Sequence, residues 1–306
     1  MAILRSGLAV LLSLPFAFFG SPNAAMGAAD AQSASPLAEP MNYRRLLPLD
    51  GGSNFRDIGG YPVADGRRVK RGLLFRSGAM TGLTEEDRSY LAQFGFAAVV
   101  DLRSSEQIKL YPNHWAAQAD LNYISVPYSI MELTDQNSED TQQKQGPRDY
   151  SATYPLIAEM IKPQLKAYFE ALVEKQAPIV VNCSAGQDRT GIAAALVLTA
   201  LGVDENLIIE DYLLSKDFRR PKLESGNVDL EEAARTNAFA RMMLDYAKEQ
   251  DQSKANPLIT IDGTPFLKFA LEAIRSKHGS IEDFLIAELG VSIADLKRLR
   301  EFYITS

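Results

Sequence analysis

The stretch IVVNCSAGQDRTGIAAALVLTALG, residues 179–202, contains the only cysteine of the chain, Cys183. Its first three residues are apolar and, with Asn182, read as a buried strand over 179–182. From residue 190 to 202 the sequence is dominated by Ile, Ala, Leu and Val, the pattern of a core helix. Between them lies a small, polar loop. A strand, a tight loop and a helix start direct backbone N–H groups and the positive end of the helix dipole toward one spot. Ala185 and Gly186 are small enough for those donors to approach an anion closely. Arg189, six positions after Cys183, enters the first turn, where a planar guanidinium can grip two phosphate oxygens.

The residue types define a chemistry. Helix N-termini and nearby arginines favour the thiolate, which is the nucleophilic form of cysteine. A thiolate beneath a bound phosphate is placed for in-line attack on phosphorus. Thr190 is positioned to donate a hydrogen bond to the departing sulfur in a second step. The candidate phosphate-binding set is Ser184, Ala185, Gly186, Gln187, Asp188, Arg189 and Thr190. A buried structural cysteine is the common fate of a lone Cys. Against it, fixing Gly186, Arg189, Thr190 and Gly191 relative to one cysteine has chance odds on the order of 10⁻⁵.

Working outward, the chain has 306 residues, of which 46% are hydrophobic and 23% charged, the composition of a globular protein. A net charge of −7 disfavours a general nucleic-acid binder, which would carry a basic face. One Cys and two distant His, His114 and His278, offer no metal-ligand spacing, so neither a metal nor another cofactor is expected. Arg5 precedes an apolar run of 14 residues (7–20), and small residues come after it. This is the pattern of a secretory signal peptide over 1–29, too short to span a bilayer. Residues 30–42 read as a linker and 43–306 as one domain, exported to the periplasm or beyond the cell, monomeric and without stable membrane insertion.

Within 43–306, Asp65-Gly66 reads as a hairpin turn, and Thr84 with Asp87 as the capped start of a helix ending at Gly95. Residues 96–102 and 123–127 read as strands, 129–150 as a long loop, and 154–176 as a helix interrupted at Pro163. The chain beyond residue 203 is expected to be helical, including an amphipathic piece from Asp229 to Lys248. Its stripe of Leu230, Ala233, Ala234, Phe239, Met242, Met243 and Tyr246 is expected to pack as core or to cover the site as a lid within 216–258. Strands alternating with helices argue an α/β fold.

CSAGQDRTG resembles the C-x5-R-[ST] signature of cysteine-dependent protein phosphatases. More specifically, the chain is similar to the bacterial tyrosine phosphatases that carry an NFRDIGGY motif, here Asn54 to Tyr61. RGLLFRSG (71–78), VVDLRSSEQ (99–107), DYLLS (211–215) and the tail 278–303 extend the resemblance over roughly 43–303. It implies a central, mostly parallel sheet flanked by helices with a helical C-terminal part. It also implies metal-independent hydrolysis of a phosphomonoester, through a phosphocysteine at Cys183. The implied substrate is a phosphorylated protein or a small phosphomonoester, with phosphotyrosine foremost. Phosphoinositide or inositol-phosphate hydrolysis and a weakly catalytic phosphate-binding module are the alternatives. Two positions depart from the family: Asn182 replaces the usual His before the nucleophile, and Gln187 stands where many relatives carry Lys.

The leaving oxygen needs a general acid. Asp188, inside the loop, is the first candidate, since a bound phosphate favours a carboxylic acid over a carboxylate there. Asp101, at the end of a strand expected to neighbour that of Cys183, is the second, with a structural pair to Arg103 or Arg56 as its other reading. Glu132 and Asp135 rank below them. Arg56 and Asp57 are expected to pack the NFRDIGGY segment against the loop.

Overall fold

The computed structural model describes residues 45–131, 149–249 and 256–306, with backbone only over 246–249. The expected signal peptide and linker, Glu132, Asp135 and the side chain of Tyr246 lie outside the described residues.

Five strands form one sheet: β1 Arg56–Asp57, β2 Leu74–Ser77, β3 Ala98–Asp101, β4 Asn122–Ser125 and β5 Ile179–Asn182. Their order is β1-β2-β5-β3-β4, with only β1 antiparallel to its neighbour. The sheet is therefore the α/β, mostly parallel arrangement expected. β5 lies at the centre, paired with β2 on one side and β3 on the other. Ser77, Asn182, Asp101 and Ser125 end four parallel strands in register. The loops that succeed them share one edge of the sheet, where open α/β sheets gather ligands.

Both faces of β5 are buried, which is why Ile179–Val181 is a continuous apolar run rather than an alternating one. Ile179 and Val181 join the larger core, with helices Tyr154–Met160, Lys162–Val173, Asp188–Ala200, Glu205–Leu213 and the C-terminal helices. Val180 faces a second cluster in which Phe55, Phe75, Phe96 and Trp115 meet edge-on or tilted at 4.8–6.3 Å between ring centroids. Helix Asp188–Ala200 is covered on nearly every side, matching its uniformly apolar sequence.

Local expectations hold with small shifts. Thr84 and Asp87 form a reciprocal capping box, and Gly95 takes φ +63°. The Asp65-Gly66 turn is present, with Gly66 at φ +86° and Pro62 bridged to Arg68. The helix expected over 154–176 is two helices broken at Ile161, with Pro163 in the first turn of the second, where a missing N–H costs nothing. The amphipathic piece is also two helices, Leu230–Ala233 and Ala238–Glu249. Asn237 sits between them, accepting from the N–H of Ala240 (3.0 Å) and donating to the carbonyl of Glu106 (2.9 Å). Ala234, Phe239 and Ala240 pack on Leu110 and Tyr111 in a cluster apart from the main core. Among the described residues no helix is long and apolar enough to cross a membrane.

Candidate active site

The path from β5 into helix Asp188–Ala200 buries Cys183. Gly186 adopts φ +64°, and a Cβ there would lie 2.5 Å from the backbone of Ser77 and Gly78, so only glycine fits. Every carbonyl from Ser184 to Gly186 points to a partner behind the loop. Ser184 O accepts from Ala79 N (2.8 Å), and Ala185 O from Asn54 Nδ2 (3.1 Å). Gly186 O accepts from both Asn54 Nδ2 (2.8 Å) and Arg76 Nη2 (2.7 Å). A trans peptide sets N–H opposite C=O, so turning the carbonyls back turns the amides forward. Among the described residues, the N–H groups of Ser184, Ala185, Gly186 and Gln187 have no acceptor in the protein. No side chain caps the helix that begins at Asp188. These donors and the helix dipole make an anion cradle.

A buried ion network holds the back of that cradle. The Asp211 carboxylate bonds Arg56 Nε (3.1 Å) and Arg76 Nη1 (2.6 Å), and accepts from Tyr61 Oη (3.2 Å). Arg56 also donates to Ser215 Oγ (3.1 Å) and to the side-chain oxygen of Asn54. Asn54 itself takes φ +58°, a conformation that few side chains other than Asn tolerate. Burial alone would raise the Asp211 carboxyl, but Arg56 and Arg76 outweigh it and hold it well below the usual carboxylate range. Asp57 has a different role. It accepts from the N–H groups of Gly59 (2.7 Å) and Gly72 (2.9 Å), and burial pushes its carboxyl up to about 6.

At the front, Arg189 is anchored by Nη1 alone, to Tyr128 Oη (2.6 Å), Gln107 Oε1 (2.8 Å) and Leu102 O (3.0 Å). Its Nε and Nη2 have no protein partner among the described residues, which leaves one edge of the fork for two phosphate oxygens. Burial would lower the Arg189 guanidinium, but Tyr128 and Cys183 outweigh it and keep it charged. Asp188 is half-buried, and its Oδ1 accepts from Tyr154 Oη and from Gln187 Nε2 (3.2 Å). Thr190 and Ser184 each bury a hydroxyl with no hydrogen-bond partner. The expected bond from Thr190 to the cysteine sulfur is not formed.

The profile of the tyrosine phosphatase family matches residues 47–305. The chain belongs to that family. It is a cysteine-dependent phosphatase. A Cupriavidus necator protein named as a putative tyrosine-protein phosphatase is 29% identical over 270 residues, 86% of this chain and 91% of that protein. The triple specificity protein phosphatase PtpB of Mycobacterium tuberculosis is 25% identical over 276 residues, 82% of this chain and 96% of that one. The solved structure of P. aeruginosa TpbA aligns with 60% of this chain and 91% of its own at 17% identity and a TM-score of 0.26, too low to bear on the fold.

In this phosphatase Asp101 does not take an acid's place. Its carboxylate is walled in by Arg103 Nη2 (2.6 Å) and Tyr123 Oη (2.7 Å). Burial would raise its carboxyl, but Arg103 brings it below the ordinary range, which keeps it charged and unable to donate. The pairing with Arg103 is thus the one observed, while Arg56 belongs to Asp211. Asn182, which precedes the cysteine, is fully buried with both side-chain amide atoms unpartnered. Gln187 carries no charge; its Oε1 accepts from Arg219 Nη1 (2.6 Å), whose guanidinium is paired with Glu224 (2.8 Å).

Sequence reading missed Arg76, Tyr128, Gln107, Tyr154, Tyr212 and Arg219. Arg76 and Asp211 each carried a signal: a charge inside an apolar run, LLFRS and LIIEDYLL, which burial tolerates only with a partner. The tyrosines carried none. Among the described residues no cluster of three His, Cys, Asp or Glu is placed to hold a metal.

Proposed function

We propose that this phosphatase hydrolyses phosphotyrosine and related phosphomonoesters in two steps, with Cys183 as nucleophile, Arg189 and the amides of 184–190 as the phosphate cradle, and Asp188 as general acid. The observation that carries this reading is the forward-facing set of unpartnered amides around a buried cysteine, with one edge of Arg189 left open beside them. The cysteine thiolate attacks phosphorus, the P–O ester bond breaks, and the leaving oxygen takes the proton of Asp188. Water then attacks the phosphocysteine, gives a proton back to Asp188, and the S–P bond breaks to return the thiolate.

The name of the mycobacterial relative supports a substrate range beyond phosphotyrosine. The segment 5–29 supports export to the periplasm or medium. Packing of residues 230–244 on Leu110 and Tyr111, apart from the core, supports a helical lid.

Hydrolysis of para-nitrophenyl phosphate in EDTA, beside Cys183→Ser, tests the reading. Turnover that survives the chelator and falls by at least about 10⁴-fold in the variant is expected. Phosphate binding without turnover in the wild type would leave a binding module instead.

A further inference from the structure

Asp188 is held by one oxygen only. Tyr154 Oη and Gln187 Nε2 both donate to Oδ1, and among the described residues Oδ2 has no hydrogen-bond partner. Each donor is itself fixed from behind. The amide of Gln187 can face only one way, because Arg219 has no acceptor atom and so must meet the amide oxygen, leaving Nε2 for Asp188. Arg219 in turn is gripped by both oxygens of Glu224, at 3.0 and 2.8 Å. On the other side Tyr212 Oη lies 2.6 Å from Tyr154 Oη. A phenol has a single proton, and Tyr154 directs its own to Asp188. The short contact is therefore a bond donated by Tyr212, whose other acceptor, Leu258 O, lies farther away at 3.5 Å, and the order is Tyr212 to Tyr154 to Asp188.

We infer that Tyr154 and Gln187 are positioning residues for the proton donor, holding Asp188 Oδ1 as the accepting oxygen so that the transferable proton resides on Oδ2. This rests on the reading of Asp188 as the general acid. A protonated carboxyl has one oxygen that accepts and one that donates. Two donors on Oδ1 make it the accepting oxygen whether Asp188 is neutral or ionised. Oδ2 then gives its proton to the leaving oxygen in the first step and takes one from water in the second, and neither step requires the bonds behind Asp188 to rearrange. Such preorganisation is the form in which electrostatic catalysis is most effective.

Tyr154 and Tyr212 are buried against the core, with Tyr154 5.5 Å from the ring of Phe266. Burial, with the charge of Asp188, holds both phenols well above their usual range, so they remain neutral donors. A buried tyrosine hydroxyl always needs some partner. A role limited to that need would slow all substrates alike, and this distinguishes the two roles.

The test is Tyr154→Phe, with Gln187→Leu as a second variant that leaves the aromatic packing untouched. Each is compared with wild type and Asp188→Asn on 2,4-dinitrophenyl phosphate, whose leaving group needs no proton, and on phenyl phosphate, whose leaving group does. In Tyr154→Phe the ratio of kcat/KM for the dinitrophenyl ester over the phenyl ester should rise roughly tenfold, the worth of a hydrogen bond to a charged group. Gln187→Leu should shift the ratio the same way by less, and Asp188→Asn should shift it by about 10²-fold or more. An unchanged ratio in both positioning variants, with Asp188→Asn shifted, would overturn the inference and leave Asp188 as the acid. An unchanged ratio in Asp188→Asn would overturn both.

Discussion

The loop around Cys183 has two faces that are built oppositely. Behind it, Arg76 Nε apart, charges and carbonyls are matched: Asp211 with two arginines, Ala185 O and Gly186 O with Asn54 and Arg76, Ser184 O with Ala79. In front, four amides and one edge of Arg189 are left over, and around the loop the hydroxyls of Ser184 and Thr190 and the side-chain amide of Asn182 are buried without partners. Unpartnered buried polar groups are costly, and a fold tolerates them where a ligand completes the set. The contrast teaches that the stability of this loop and its chemistry are carried by different residues on opposite sides of one short backbone.

That separation can be broken from either side. The largest effect on stability is expected at the back. Asp211→Asn leaves Arg56 and Arg76 buried without their counter-charge, and removing one partner of a buried pair costs about 3–5 kcal/mol. Denaturant unfolding measures it, and turnover should fall too, because Arg76 steers the carbonyl of Gly186. The Asp211 carboxyl is held below its unfolded value near about 3.9, so its contribution is present above that pH and is lost as pH falls toward the folded value. A loss under about 1 kcal/mol, the scale of a weak surface pair, would show that charge does not hold the back face. The smaller effect is expected in front. Thr190→Val removes a buried hydroxyl with no partner, so stability should stay level or rise by up to about 1 kcal/mol while turnover falls. Equal destabilisation by the two variants would erase the contrast.

The two faces were also unequally legible in the sequence. The front is local: a strand, a loop and a helix lie within 22 consecutive residues, so spacing alone joined Cys183 to Arg189. The layered α/β arrangement was legible too, from strands alternating with helices. The back is assembled from residues 54–56, 76 and 211–215, more than a hundred positions apart at the extreme, and no periodicity connects them. Resemblance placed those motifs in one family, and packing of the NFRDIGGY segment against the loop was anticipated, but which arginine meets which carboxylate was not. Asp101 shows the limit most clearly. Its strand and its position at the sheet edge were as expected, yet its rotamer turns it to Arg103 and Tyr123. The division at Asn237 was likewise fixed by tertiary packing that local propensity does not encode, whereas the break at Ile161 follows from Pro163, as its position implied.

The central claim is that Cys183 carries the phosphoryl group. Mixing the enzyme with para-nitrophenyl phosphate, quenching in acid within a turnover, and mapping the peptides by mass tests it most directly. A single added phosphoryl group is expected on the peptide containing Cys183, and none in Cys183→Ser. Steady turnover with Cys183 unmodified at every quench time would contradict it.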